Sequence, residues 1–174
     1  YLNNVLRGHL DHLQKHDQQA IVLAPQCPKG KKWVNTPWGA KSHTMPKAAS
    51  ESMELALALV AESLAKYPID LNRVYITGLS MGGYGTWDAI QRKPTLFAAA
   101  APICGGADAA LAATIAHIPI WTWHGDKDGV VPVNRSRDVI AALKAAGGNP
   151  KYTELAGVGH NAWTPAFKST ELLA

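Results

Sequence analysis

Apolar and polar positions alternate along this chain with two periods, and the alternation predicts strands and helices in turn. Ala20 to Ala24 is an unbroken apolar run ended by Pro25, and it reads as a buried strand. Met53, Leu57, Val60 and Leu64 recur at the spacing of one helix face, and that helix must stop by Pro68. Arg73 to Thr77 reads as a short strand, followed at Gly83 to Ile90 by the start of a helix. Phe97 to Ile103 is small and apolar and ends at Gly105-Gly106, which reads as another buried strand. Two further strands are expected over Ile118 to Trp123 and Lys151 to Ala156. Between them, Asn134 is expected to cap a helix that turns Val139, Ile140 and Leu143 inward and closes at Gly147-Gly148. The expectation is an α/β fold of three layers, a mostly parallel sheet of five strands with helices on both faces.

The chain is 174 residues long, which sets a prior of one domain spanning 1–174. With 47% hydrophobic and 17% charged residues it can build a substantial core. Its apolar runs fall far short of the roughly 20 residues a membrane span needs. The net charge is +4, and Lys29, Lys31 and Lys32 form its tight basic cluster. No aromatic interleaving or recognisable module accompanies the cluster, so nucleic acid is not the expected partner. A solvated loop is the plainer reading, and attraction of anionic substrates is the alternative. Cys27 and Cys104 each follow a predicted strand, with two other strands between theirs. At about 4.8 Å per strand step they stand roughly 15 Å apart, too far for a disulfide.

The chemistry concentrates in three places. Val74-Tyr75-Ile76-Thr77-Gly78-Leu79-Ser80-Met81-Gly82 is a strand running into Gly-x-Ser-x-Gly, with a helix beyond. The five-residue pattern matches by chance in roughly one chain of this length in twenty. The strand before it and the helix after it make it a nucleophile elbow, where a tight turn exposes the serine and the helix aims N–H groups at a developing oxyanion. The second place is the turn His124-Gly125-Asp126-Lys127-Asp128-Gly129-Val130-Val131-Pro132, which carries two carboxylates just past a strand. The third is Gly157-Val158-Gly159-His160-Asn161-Ala162-Trp163, a histidine in a glycine-flanked loop past another strand. The order Ser, Asp, His is the one α/β-hydrolases use, and each candidate ends a predicted strand.

A serine hydroxyl needs a base to take its proton, a histidine titrates in the right range to do so, and a carboxylate fixes that histidine's tautomer. Of the two acids, Asp128 lies deeper in the turn and is favoured, while Asp126 is expected to brace the turn through backbone N–H groups. His9, His12 and His16 share one polar segment at a spacing that superficially suggests metal ligation. No cysteine or acidic cluster completes such a site, so they read as surface residues, and no metal or other cofactor is expected. His43 and His117 have no partner pattern, and His124 reads as structural.

At these residues the chain resembles the α/β-hydrolase superfamily, and more narrowly the bacterial "predicted peptidase" esterases related to dienelactone hydrolase-like and polyhydroxybutyrate depolymerase-like enzymes. The matching segments are Ala24 to Pro28 with Trp33, Gly78 to Asp88, Ala101 to Gly106, His124 to Pro132, and Gly157 to Trp163. The resemblance implies Ser80 as nucleophile, Asp128 as acid, His160 as base and Met81 as donor of one oxyanion N–H. Such proteins carry an earlier strand ending in a His-Gly loop, often followed by Gly-Glu-Arg-Gly, which supplies the second oxyanion N–H. This chain opens at Tyr1-Leu2-Asn3-Asn4, just past that point, and stops at Glu171-Leu172-Leu173-Ala174, within the last helix. The resemblance thus implies a fragment or a truncated core that lacks the N-terminal strands.

The expected activity is cleavage of small carboxylic esters through an acyl-enzyme. Two alternatives keep the triad and change the bond, to a peptide or to a feruloyl-type aryl ester. A third, of another class, is an inert binding module on the same fold. Trp33 and Trp163 are the candidate substrate contacts, because aromatics beside the nucleophile and base suit an acyl or aryl group. Trp38, Trp87, Trp121 and Trp123 are expected to pack helices against the sheet.

Overall fold

The structure is a computed structural model that describes Asp11 and residues 19–173. His9, His12 and His16 lie outside the described residues. Past residue 19, the first helix is α1 (Glu51–Lys66), capped by Ser50, whose side chain accepts from Met53 N. Strand β1 (Tyr75–Leu79) follows, then α2 (Met81–Arg92), β2 (Ala99–Ile103), the short α3 (Ala112–Ile115), β3 (Trp121–Gly125), α4 (Asn134–Ala145), β4 (Lys151–Leu155), α5 (Trp163–Lys168) and α6 (Thr170–Leu173). The four strands pair in parallel in the order β1-β2-β3-β4.

The pairing is continuous at both outer seams, Tyr75 with Ala99 through Leu79 with Ile103, and Trp121 with Lys151 through Gly125 with Leu155. The central seam is sparser, with Ile103 opposite Trp123 and a lone bridge from Ala100 to Ile120. Ala100 and Cys104 donate their N–H groups across it to Pro119 and Trp123. Pro102 between them has no N–H to give. The Thr122 hydroxyl instead donates to the Pro102 carbonyl at 2.6 Å.

One face of the sheet carries the larger core. Met53 of α1, Trp87 and Ile90 of α2, and Val139, Ile140 and Leu143 of α4 pack there against Ala100 and Ile120. The other face is covered at its far end, where Ala162 and Ala166 meet Ile103 and Trp123, with Leu79, Leu155 and Phe167 around them. Burial of these apolar side chains is the main force holding helices to the sheet, at roughly 1.5–3 kcal/mol for each large one. Asp88 on α2 pairs with Arg92 one turn later, and that guanidinium also reaches the Pro46 carbonyl at 2.7 Å, tying the segment before α1 to α2.

Three expectations are corrected. Ala20 to Ala24 is not a strand, so four strands rather than five stand among the described residues. Ile21, Val22 and Leu23 are 50%, 41% and 38% exposed. A strand exists through a ladder partner, and none of these residues pairs with β1. Asn134 does not cap α4 but opens it; Val133 holds the cap position without a side-chain bond. The β1 strand begins two residues later than the apolar run, because Leu71–Arg73 winds into a single 3₁₀ turn capped by Asp70. Elsewhere α1 ends at Lys66, before Pro68, and Gly147 closes α4 at a φ of +83°.

Candidate active site

The elbow after β1 is built as its sequence requires. Ser80 has φ 53° and ψ −116°, a conformation that non-glycine residues rarely adopt. Two backbone bonds hold it there, Ser80 N to the Ile103 carbonyl at 2.9 Å and Tyr84 N to the Ser80 carbonyl at 3.0 Å. Gly78 makes the turn possible, because a Cβ there would collide with the Gly82 carbonyl and with Thr86 Oγ1. Gly82 faces open space, so close approach demands only one of the two flanking glycines. A Gly78→Ala variant is therefore expected to lose roughly 2–3 kcal/mol, since the obstacle is backbone that cannot swing aside. Chemical denaturation of the variant beside the parent checks this. Met81 is the first residue of α2, so its N–H has no carbonyl within the helix and sits at the positive end of the helix dipole.

The acid and the base arrive from β3 and β4, whose loops are stitched together. Asp126 N donates to the Leu155 carbonyl, Lys127 N donates to the Val158 carbonyl, and Gly157 N donates to Asp126 Oδ1 at 2.7 Å. Asp126 thus grips the histidine loop, while the N–H groups of its own turn, those of Val130 and Val131, are taken by Asp128 rather than by Asp126. Gly125 lets that loop cross closely, since a Cβ would strike the carbonyls of Val158 and Gly159.

Ser80 Oγ lies 2.7 Å from His160 Nε2, and His160 Nδ1 lies 2.7 Å from Asp128 Oδ2. The Asp128 side chain is wholly buried and that of His160 is 21% exposed. Asp128 Oδ1 accepts the N–H groups of Val130 and Val131 at 2.8 and 2.9 Å. Oδ2 also faces His124 Nε2 at 3.2 Å. The structure therefore brings Ser80, Asp128 and His160 into one hydrogen-bonded line, with Met81 beside the serine.

The surroundings set the charges. Burial alone would raise the Asp128 pKa, but the bonds from His160, Val131 and Val130 outweigh it and hold the carboxyl below its usual range. A depressed folded pKa contributes stability above the unfolded value near 4, and that stability is lost as pH falls through the lower folded value. The melting-temperature gap between the parent and an Asp128→Asn variant is thus expected to narrow as pH falls below about 4, which calorimetry at several pH values would check. Burial lowers the His124 pKa, so that ring is neutral. Burial also pushes the Cys104 thiol up to about 12. Cys104, Asp128 and His160 place a ligand atom each within 4.8 Å of one another. The carboxylate and imidazole are engaged with each other, and the thiol keeps its proton.

Trp163 stands edge-on to the His160 ring, with centroids 5.3 Å apart. Trp33 packs its side chain against Gly85 of α2 and joins two apolar clusters there. Trp87 is fully buried, and Trp38 packs with Val34, Tyr84 and Val131. His43, for which the sequence offers no partner, meets Arg135 through Nδ1, and burial next to that cation lowers its pKa to about 4. His117 Nε2 lies 3.0 Å from the Pro94 carbonyl. Lys31 pairs with Glu51, and Lys32 sits 4.9 Å over the Trp38 ring. A hollow of about 580 Å³ beside these lysines is lined by Thr36, Ser50 and Glu51 and includes no triad residue. Cys27 and Cys104 are both free and buried. Among the described residues no helix is long and apolar enough to cross a membrane.

Sequence reasoning missed the second pair of groups behind the acid, Ser136 and the tautomer of His124. Ser136 is buried two residues into α4, and nothing in its neighbourhood in sequence marks it.

None of the curated proteins matches the chain. Among solved structures, a thermostable esterase is 40% identical over 85% of this chain, with a TM-score of 0.78. The chain spans 41% of that esterase's length. The Arabidopsis thaliana protein SOBER1 is 22% identical, with 82% of this chain and 71% of that one aligned at a TM-score of 0.64. The acylaminoacyl peptidase of Pyrococcus horikoshii is 20% identical over 66% of this chain and 24% of its own, at a TM-score of 0.60. At such identities the last two likenesses concern the fold alone. The family model of the prolyl oligopeptidases matches residues 30–125, more than half of the chain. With that match, and the likeness to the esterase, the chain belongs to the prolyl oligopeptidase family of α/β-hydrolases.

Proposed function

We propose that this protein is a cofactor-free serine hydrolase that cleaves carboxylic esters through an acyl-enzyme. The supporting observation is the unbroken line of 2.7 Å bonds from Ser80 Oγ to His160 Nε2 and from His160 Nδ1 to Asp128 Oδ2. Ser80 Oγ attacks the ester carbonyl as His160 Nε2 takes its proton, and Asp128 steadies the imidazolium that forms. The Met81 N–H faces the developing oxyanion. His160 then protonates the departing alkoxide, and the same groups activate water to release the acid. Trp163, edge-on to the His160 ring, flanks the acyl group, whereas Trp33 packs against α2.

The 40% identical esterase favours an ester as the scissile bond. The prolyl oligopeptidase family model supports a second reading, the same triad acting on a peptide. Turnover of a nitrophenyl ester and of the nitroanilide of the same acyl group separates them. A kcat/KM for the ester that exceeds the anilide by well over the difference in intrinsic reactivity supports the ester reading. Comparable values support the peptide. Turnover of neither by a folded protein supports the inert module.

A further inference from the structure

One donor to Asp128 takes no part in the relay described above. His124, the penultimate residue of β3, is fully buried. Its Nε2 lies 3.0 Å from the Val131 carbonyl and 3.2 Å from Asp128 Oδ2. Its Nδ1 lies 2.7 Å from Ser136 Oγ, and Ser136 is also fully buried. A carbonyl and a carboxylate only accept hydrogen bonds, so Nε2 must carry the hydrogen. Nδ1 is then a lone pair, and the Ser136 hydroxyl must donate to it. The neighbours thus fix the tautomer of a ring that is itself held by two elements, β3 and α4.

We infer that His124 is a positioning residue for the catalytic acid: its Nε2–H, shared between the Val131 carbonyl and Asp128 Oδ2, adds to the hold on the Asp128 rotamer and takes up part of the carboxylate's charge that would otherwise act on His160. This rests on the serine-hydrolase reading above. The geometry separates the duties of the two carboxylate oxygens. Oδ1 is tied to the backbone of its own turn, while Oδ2 is shared between His160 and His124. Without His124, Oδ2 itself is held by His160 alone, and the carboxylate plane by that bond together with the two to Oδ1. A neutral donor suits the place, because a second cation would compete with the imidazolium for the same oxygen. The groups facing His124 are Asp128 and, beyond it, His160; Ser136 on α4; the Val131 carbonyl; and its register partner Glu154 on β4. Glu154 is engaged by Arg137 at 2.6 Å and by the Tyr152 hydroxyl at 2.6 Å, so its charge has other partners.

The test is the pH profile of kcat/KM for a nitrophenyl ester, measured on the parent and on His124→Leu, His124→Gln and Ser136→Ala. His124→Leu removes the N–H and concentrates the carboxylate's charge on His160, which stabilises the imidazolium. Turnover is expected to fall about ten- to a hundredfold, and the acid limb of the profile to move to higher pH by about half a unit to one unit. Glutamine can place an amide N–H where Nε2 stood, so His124→Gln should recover most of both effects. Ser136→Ala leaves Nδ1 without its donor and loosens the ring's hold on Oδ2, so it should move the limb in the same direction by less. A merely structural role would lower melting temperature and rate without moving the limb. An unmoved acid limb in folded His124→Leu overturns the inference, and if that variant does not fold, an unmoved limb in Ser136→Ala does so. A parent with neither turnover nor fluorophosphonate labelling overturns the hydrolase reading and the inference with it.

Discussion

Replacing Ser80 with alanine is expected to abolish covalent labelling and to lower ester turnover by about 10⁵- to 10⁶-fold. No other group can stand in for its hydroxyl. Cys104 is the nucleophile nearest in chemistry, but it is fully buried, and its thiol is pushed up to about 12. It offers almost no thiolate at neutral pH. The loss is catalytic rather than structural. Alanine bears the same Cβ at the same φ of 53°, so the backbone strain of the elbow is unchanged. The two backbone bonds that clamp position 80 do not involve the side chain. Melting temperatures of parent and variant should therefore agree within a few degrees while their rates diverge. A variant retaining a tenth of the parent's turnover would exclude Ser80 as the nucleophile.

Asp128→Asn is expected to lower turnover by about 10⁴-fold, and for a reason visible in its contacts. Every group around the carboxylate is a donor: Val130 N, Val131 N, His160 Nδ1 and His124 Nε2. A carboxylate offers acceptors on both oxygens, and an amide offers one oxygen and one NH₂. If the amide oxygen faces the backbone pair, the NH₂ opposes His160 and drives its imidazole to the tautomer with hydrogen on Nε2. That nitrogen can no longer take the serine proton. If the oxygen faces His160, the NH₂ opposes the N–H groups of Val130 and Val131. The second arrangement costs stability, the first costs catalysis, and the variant must accept one of them. Kinetics with a nitrophenyl ester, paired with a denaturation midpoint, reads which was taken. Because the protein's Asp126 bonds to Gly157 and not to the base, Asp126→Asn should cost far less in rate.

The site was more legible in the sequence than the sheet around it. Ser80, Asp128 and His160 could be read because their chemistry imposes local signatures: a glycine forced by close backbone at position 78, a carboxylate in a turn, and a histidine in a glycine-flanked loop. The choice between Asp126 and Asp128 was readable from depth in the turn, and the two carboxylates do point to different partners. Helix faces were readable for the same reason, since Val139, Ile140 and Leu143 repeat at helical spacing and are buried. Ala20 to Ala24 misleads because an apolar run records what a segment wants to bury, while strand formation needs a partner elsewhere in the chain. Asn134 misleads because a capping residue type says nothing about which of two adjacent positions becomes the cap. The partnership of His124 with Ser136 was out of reach. It depends on β3 and α4 meeting in space, and two buried polar side chains twelve residues apart carry no periodic signal.

The central claim is that Ser80 is an activated nucleophile held by His160 and Asp128. Intact mass after incubation with a fluorophosphonate tests it most directly, on the parent beside Ser80→Ala and His160→Ala. The account predicts one adduct per parent chain and none on either variant. A folded parent that gains no adduct, or a Ser80→Ala variant that still gains one, would contradict it.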